Sequence, residues 1–529
     1  MTSSTSPFTA QPSTNTTSMW LRALALLVAA ILTAVTPAAT DLATTQVPDT
    51  AGADGNEEPT VGDPEHLTVV DSERMLGLEE HTESTDEDGL EVDIAIPEIP
   101  GAAPLNRRLH DDTTRAVEDF ELAHPGAEHI TTNWEITAAA QDVVGVRLIT
   151  EETGVRMTME ETGSTSPGDD PEPRASYTTL WYDAAAGHVA ESTELLSDQE
   201  AFEELVDTVS ERLADVDEID VNPDHVVPVA QLFRSMGFNV DGDLVVEFAA
   251  GAVAPPEEGR VYSIVEREQV EPLLSEFGER ALEAAATVEE EFEVSEDDPV
   301  SLASDPGDIP GHYPQPTTSV DCDDDETRCV ALTFDDGPGD GTPELLDTLD
   351  EYDARATFFV TGGPAREHIP TIRRQYAEGH EVANHTMNHP DLTDLSTSEI
   401  RAETEPLQAM LRRAIGHSPD LVRPPYGATN DDVAEVMQDT GMAEIMWSVD
   451  TLDWDDRDSD VVAERAIEGA TEGAIILFHD IHPTTVQAIP EVLAELDEDG
   501  YTFVTVTELL GATEPGQDYW DGTGEYEGF

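Results

Sequence analysis

From residue 320 onward the chain alternates short apolar runs with amphipathic stretches, and that rhythm is the first guide to its architecture. The runs at 329–334, 356–360, 381–383, 421–422, 443–447, 474–478 and 502–504 read as strands bounded by polar loops. Between them, 342–352, 365–378, 397–415, 430–440, 459–471 and 484–499 carry apolar residues at three- and four-residue spacing and read as helices. Strict strand–helix alternation predicts an α/β fold, an irregular (β/α) barrel of about seven parallel strands. Upstream, strand-like runs at 144–148, 177–182, 244–248 and 260–265 mix with helical stretches at 106–123, 198–213 and 268–285, which predicts a separate α+β domain.

Composition then divides the chain. Residues 1–39 contain an apolar stretch from Ala23 to Val35, one flanking Arg22 and a small-residue exit, Thr36-Pro37-Ala38-Ala39. That stretch is short for a bilayer span and reads as a secretory signal, or an N-terminal anchor if it is not cleaved. Residues 40–91 read as a disordered acidic spacer, 92–286 as the α+β domain, 287–319 as a linker, 320–511 as the barrel and 512–529 as an acidic tail.

Charge changes the picture further. The formal net charge is −91, and all 24 basic residues are arginine. Such a field repels phosphates and excludes nucleic-acid binding; it also argues against a site for any anion. The acids are spread along the whole chain, as in a halophilic-type surface whose self-repulsion is screened by salt, with a Debye length of ~3 Å at 1 M. The two cysteines, Cys322 and Cys329, form an even, close pair, which in an exported protein reads as a disulfide clipping the entry to the 329–334 strand.

Candidate chemistry sits just past the predicted strands, where barrels gather their reactive groups. In order these are Asp335-Asp336-Gly337-Pro338, His385-Thr-Met-Asn-His389, Arg423-Pro424-Pro425-Tyr426-Gly427, Asp450-Thr-Leu-Asp453-Trp454 and Leu477-Phe-His479-Asp480. Singly each is weak. Asp and Glu make up 115 of 529 residues, so adjacent aspartates are near background. Histidines four apart share one face of a helix turn, the arrangement expected for His385 and His389. A zinc-protease reading of His380-Glu381 with His385 fails because the spacing is one residue too long. No Gly-x-Ser-x-Gly elbow and no Pro-Cys-x-x-Cys element is present. A two-carboxylate glycosidase built on Asp335 stays open on residue types alone, but it leaves the histidine pair without a task.

Taken together, the five segments resemble the motifs of the NodB-homology polysaccharide deacetylases, the fourth carbohydrate-esterase family, over residues 320–511. The resemblance implies a hydrolase that removes acetyl groups from glycans. Asp336, His385 and His389 would ligate a divalent metal; this donor set suits Zn2+, and its ligand types also admit Co2+, Ni2+ or Mn2+. Asp335 would be the general base, oriented and kept ionised by Arg423. His479 would be the general acid, with Asp453 raising its pKa and fixing its tautomer. The backbone N–H of Tyr426 would support the oxyanion, and Trp454, Leu477 and Pro425 would line the substrate groove. Asp450 reads as a loop-ordering residue and His482 as structural.

The expected substrate is an N-acetylated cell-wall glycan, foremost peptidoglycan, with chitin oligomers or acetylated xylan as alternatives. The rival of another class is a non-catalytic wall-binding or sensing protein. Segments such as Tyr177-Thr-Thr-Leu-Trp-Tyr-Asp183 and Gly242-Asp-Leu-Val-Val-Glu-Phe248 resemble the extracytoplasmic domain of lysozyme-sensing anti-sigma factors. That second resemblance implies a wall-facing accessory role and a lysozyme-type protein partner.

Overall fold

The computed structural model describes residues 65–523, apart from 73–74, 88, 155–173, 217–218, 288–291, 293–305, 314–319, 323 and 325–326. The signal or anchor at 1–39 lies outside the described residues. No helix among the described residues is long and apolar enough to cross a membrane.

The N-terminal part is built on a six-stranded mixed sheet. Its strands are β1 (Glu79–Glu87), β2 (Leu90–Glu98), β3 (His129–Ala140), β4 (Val143–Thr153), β5 (Arg174–Asp183) and β6 (His188–Ala190), hydrogen-bonded in sequence order. Only β2 and β3 run parallel, and the helix Ala103–Ala123 makes the crossover between them. A second, antiparallel sheet holds β7 (Met236–Phe238), β8 (Leu244–Phe248) and β9 (Val261–Val265). The two sheets are tied by a buried ion network. Glu247 on β8 accepts from Arg147 on β4 at 2.8 Å twice and from Arg260 at 2.7 Å. Burial alone would raise the Glu247 pKa, but the two guanidiniums overcome it and hold the carboxyl near about 2.

The barrel that follows is a parallel sheet of nine strands, curved into an incomplete barrel with helices outside. Its strands are β10 (Arg328–Asp335), β11 (Ala356–Val360), β12 (Glu381–Asn384), β13 (Leu421–Val422), β14 (Ala443–Ile445), β15 (Val449–Asp450), β16 (Ile475–His479), β17 (Tyr501–Phe503) and β18 (Asp518–Tyr519). Their order is β15-β16-β10-β11-β12-β13-β14-β18, with β17 pairing β10. The central strands are buried on both faces, which is why they read as continuous apolar runs. The helix Thr397–Ile415 starts at a capping box, Ser396 with Glu399, and stops at Gly416, whose φ of 77° suits a residue without Cβ.

Three segment boundaries need correction, and the expected barrel gains two short strands. β1 and the start of β2 lie inside 40–91, the segment read as spacer. β1 is an edge strand whose described side chains are almost all exposed, so it shows no apolar alternation and is held by its ladder to β2. Within the predicted linker, residues 306–313 are docked: Tyr313 stacks edge-on against Tyr376 and donates to the Pro228 carbonyl. The predicted acidic tail contributes β18, which pairs with β14 through Glu444–Asp518 and Ile445–Tyr519. With β15 this brings the count to nine strands where about seven were expected. Both added strands are two residues long, too short to leave a periodic signal.

The N-terminal part rests on the barrel through its first helix. Arg412 and Arg413, in the last turn of Thr397–Ile415, bond Asp119 at 2.9 Å and Glu152 at 2.7 Å.

Candidate active site

Parallel pairing brings distant motifs together at one end of the barrel. Asp335 is in register with Phe359 on one side and His479 on the other, although His479 lies on β16. Asn384 pairs with Val422, so His385 and Arg423 both follow immediately where those two strands end.

The turn after β10 is sharp. Asp336 has φ 71°, and a Cβ on Gly337 would sit 2.1 Å from Oδ1 of Asp480. Only glycine lets the Asp480 carboxyl occupy that space.

His385 and His389 do not share a helix turn, contrary to expectation. They flank a loop in which Thr386 has φ 69° and His389 has φ 55°. Side chains inside the loop satisfy its backbone. Asn384 Oδ1 accepts from the Thr386 N–H at 2.8 Å, and Thr386 Oγ1 accepts from the His389 N–H at 3.0 Å. The loop still brings the histidines together, with ring centroids 5.0 Å apart.

Asp336 Oδ1 lies 3.6 Å from His385 Nε2 and 3.5 Å from His389 Nε2. His385 Nδ1 is 2.6 Å from the Arg423 carbonyl, which can only accept, so Nδ1 carries the proton and Nε2 presents its lone pair to Asp336. Burial, with a smaller push from His389 and against the pull of Asp336, holds the His385 pKa down at about 3. One carboxylate and two imidazoles converging this way fit a divalent metal ion. A second close group, Glu91, Asp93 and His129, sits on the N-terminal sheet; there Asp93 already bonds His129 at 3.2 Å and Ser84 at 2.5 Å.

Asp335 stands beside this group, 97% buried, with Oδ2 3.6 Å from His385 Nε2. Its Oδ1 receives Arg423 Nη1 at 2.7 Å. Arg423 is fully buried and held by the carbonyls of Ile445 and Met446, by Thr333 Oγ1 and by the Phe359 ring face 4.1 Å away. The orienting part of the Arg423 expectation is thus visible in the geometry. Its electrostatic part is outweighed: burial raises the Asp335 pKa, and Arg423 and His479 only partly oppose it. For a proton acceptor that is useful, because a higher pKa makes a stronger base.

Across the site, His479 donates from Nδ1 to Asp453 Oδ1 at 2.8 Å, while the other Asp453 oxygen accepts from the His479 backbone N–H and from Thr485 Oγ1. Burial pulls the imidazolium pKa down, yet the hydrogen bond and charge of Asp453, with Asp335 and Asp336 beyond, raise it to about 9. The histidine is therefore protonated at neutral pH and presents Nε2–H as a donor.

The geometry accords with the comparisons to known proteins. The Polysaccharide deacetylase family matches residues 323–445. The chitooligosaccharide deacetylase of a Bradyrhizobium species is 41% identical over 199 residues, 35% of this chain and 91% of that protein. The chain belongs to the polysaccharide deacetylase family. Peptidoglycan-N-acetylglucosamine deacetylase PgdA of Listeria monocytogenes is 43% identical over 196 residues, 37% of this chain. Peptidoglycan-N-acetylmuramic acid deacetylase PdaC of Bacillus subtilis is 40% identical over 187 residues, 35% of this chain. The chain spans about two fifths of the length of these two relatives, 41% and 39%.

Large apolar side chains lie close to the motif residues in sequence. Among the described residues four large hydrophobics are exposed, and three of them, Tyr426 (70%), Trp454 (51%) and Ile481 (38%), lie within two residues of a motif residue in sequence. Tyr426 has φ 63° and packs edge-on over His389 at 4.6 Å. Of the groove residues expected, Trp454 is open, whereas Leu477 and Pro425 are buried. Asp450 bonds the Leu452 N–H at 2.8 Å, as a loop-ordering residue would. The disulfide joins Cys322 to Cys329.

Three contributors escaped the sequence reading. Asp480 is buried, accepts from Thr342 Oγ1, and has its pKa raised to about 7 by burial. Thr485 locks Asp453, and Thr333 receives Arg423. Single threonines on apolar elements carry no pattern that marks them; Asp480 had only its place beside His479 as a signal.

Proposed function

We propose that the protein is a metal-dependent N-deacetylase of a cell-wall glycan, with peptidoglycan the first substrate. The observation that carries this reading is a carboxylate base and an imidazolium acid placed around one metal-ligand set. Asp335 is a buried carboxylate with no place among the three ligands, and His479 is an imidazolium held protonated by Asp453.

Asp336, His385 and His389 would hold a divalent ion, Zn2+ by the chemistry of the donors, which would supply Lewis-acid polarisation of the acetyl carbonyl and lower the pKa of water. Asp335, fixed by Arg423, takes a proton from the attacking water. The Pro-Pro-Tyr turn offers the Tyr426 backbone N–H to the developing oxyanion. His479 then gives its Nε2 proton to the departing amine, and Asp453 stabilises the imidazolium until that moment. Trp454, Tyr426 and Ile481 provide the apolar faces on which a sugar ring stacks. Residues 92–286 hold the barrel against the wall, and the 1–39 segment exports it.

The names of the relatives PgdA and PdaC support peptidoglycan as substrate but differ in the sugar they specify. The reading is tested by incubating the full chain with purified peptidoglycan and following released acetate, with mass analysis of the digested glycan to identify the sugar. A non-catalytic wall binder would release none; the intact base, acid and ligand set weighs against that rival.

A further inference from the structure

Eight of the chain's 24 arginines line one cavity of about 410 Å3. It lies between strands β3 to β5, the helix Ala103–Ala123 and the barrel helices Ile369–Ala377 and Thr397–Ile415. Whole-chain composition is 115 acids to 24 arginines, yet here eight arginines meet five carboxylates. Each of the five is already hydrogen-bonded to an arginine, Glu152 to Arg413 and Asp119 to Arg412 among them.

Of the five cavity arginines outside those pairs, three rest on neutral groups. Arg234 Nε bonds the Tyr177 carbonyl at 3.1 Å, and Arg373 bonds the carbonyls of Ala414 and Ala252, each at 3.2 Å. Arg366 touches the Met410 sulfur at 3.9 Å, and its buried Nε has no partner. None of the three has a carboxylate within ion-pair distance among the described residues. Neighbouring positive charge makes this worse: burial and then Arg413 lower the Arg234 pKa to about 10, and burial and then Arg234 do the same to Arg373. His124, on the same cavity, is held at about 3 by burial and by Arg413, Arg366 and Arg174. Cations taken from water without counter-charge are costly, and guanidinium forks match carboxylate and phosphate oxygens.

We propose that this cavity binds a small, multiply charged oxyanion, a phosphate- or carboxylate-bearing ligand with Arg234, Arg366 and Arg373 as its charge partners. Its volume falls in the range of small-molecule sites, about 300–1,000 Å3. Arg234 comes from the N-terminal part and the other two from the barrel, so the ligand bridges both. Net charge argues against an anion site, but charge averaged along a sequence does not show which arginines converge in space.

Equilibrium dialysis of the full chain against radiolabelled inorganic phosphate and, separately, citrate tests this at ionic strength fixed with NaCl. Saturable binding of about one probe per chain is expected, weakened about tenfold or more in Arg234→Gln and Arg373→Gln. Arg366→Gln serves as a third variant should either of those fail to fold by circular dichroism. Arg401→Gln, whose partners Glu405 and Asp439 lie outside the cavity, leaves binding unchanged. Saturation by phosphate alone identifies a phosphate ester as ligand, and by citrate alone a polycarboxylate. Absence of saturation by either probe up to ~10 mM, or binding that survives intact in the folded variants, overturns the proposal.

Discussion

Replacing Asp453 with Asn tests the general acid directly. In the wild type, burial works against the imidazolium of His479, and Asp453 with the two neighbouring aspartates lifts its pKa from 6.5 to about 9. That difference corresponds to roughly 3 kcal/mol in favour of the protonated form. The substitution removes the hydrogen bond and charge that raise the pKa most and leaves the burial, so the histidine falls to about 6.5 or lower. At pH ~8 the wild-type acid is ~90% protonated and the variant ~3%, a loss of about 30-fold in kcat/KM. At pH ~6 the same protonation effect shrinks to less than about twofold. The amide can also disturb the tautomer, but that loss does not vary with pH, so the ratio between the two pH values isolates the proton. The assay is acetate release from a soluble chitooligosaccharide across pH, on wild type and variant of equal metal content. An alkaline limb that stays near 9 in Asp453→Asn, or a wild-type limb already near 6.5, refutes the assignment.

The same pairing bears on stability. Because the folded-state pKa of His479 lies above its unfolded value, its contribution is full below pH ~6.5 and fades as pH rises through about 9. The stability gap between wild type and Asp453→Asn in urea melts should narrow over that window; a constant gap contradicts the linkage. Asp336→Ala should abolish stoichiometric metal by elemental analysis, whereas Asp335→Asn should keep the metal and lose at least ~100-fold in turnover; an active Asp335→Asn enzyme removes that residue from the base role. Replacing Cys322 and Cys329 together by Ser opens a bridge of sequence separation 7, at a cost of about 2.5 kcal/mol from chain entropy, read as a lower denaturant midpoint. With a net charge of −91, the melting temperature should climb between ~0.1 and ~2 M NaCl as repulsion is screened; a salt-independent Tm contradicts the halophilic reading.

The barrel was legible because its strands are buried on both faces. Leu421–Val422 and Ala356–Val360 were found to the residue, since apolar runs between capped helices leave little choice of boundary. β1 was not legible: its exposed charges alternate with nothing apolar, and only pairing with β2 makes it a strand. The loop of His385 shows a different limit. Its spacing suggested a helix turn, whereas left-handed Thr386 and His389, stabilised by Asn384, produce the same convergence by another route. Residue types on the motifs picked out groups that the fold brings to one end of the barrel. They assigned no role to Asp480 and gave no sight of Thr333 or Thr485, or of the arginines that gather between the two parts, because those depend on which elements pack together.

The measurement that bears most directly on the central claim is acetate release from purified peptidoglycan in high salt, with and without chelator. The account predicts release that EDTA stops and Zn2+ restores, with the lost acetyl located on one sugar by mass analysis. Failure to release acetate from peptidoglycan, chitin oligomers or acetylated xylan by metal-loaded protein would contradict it.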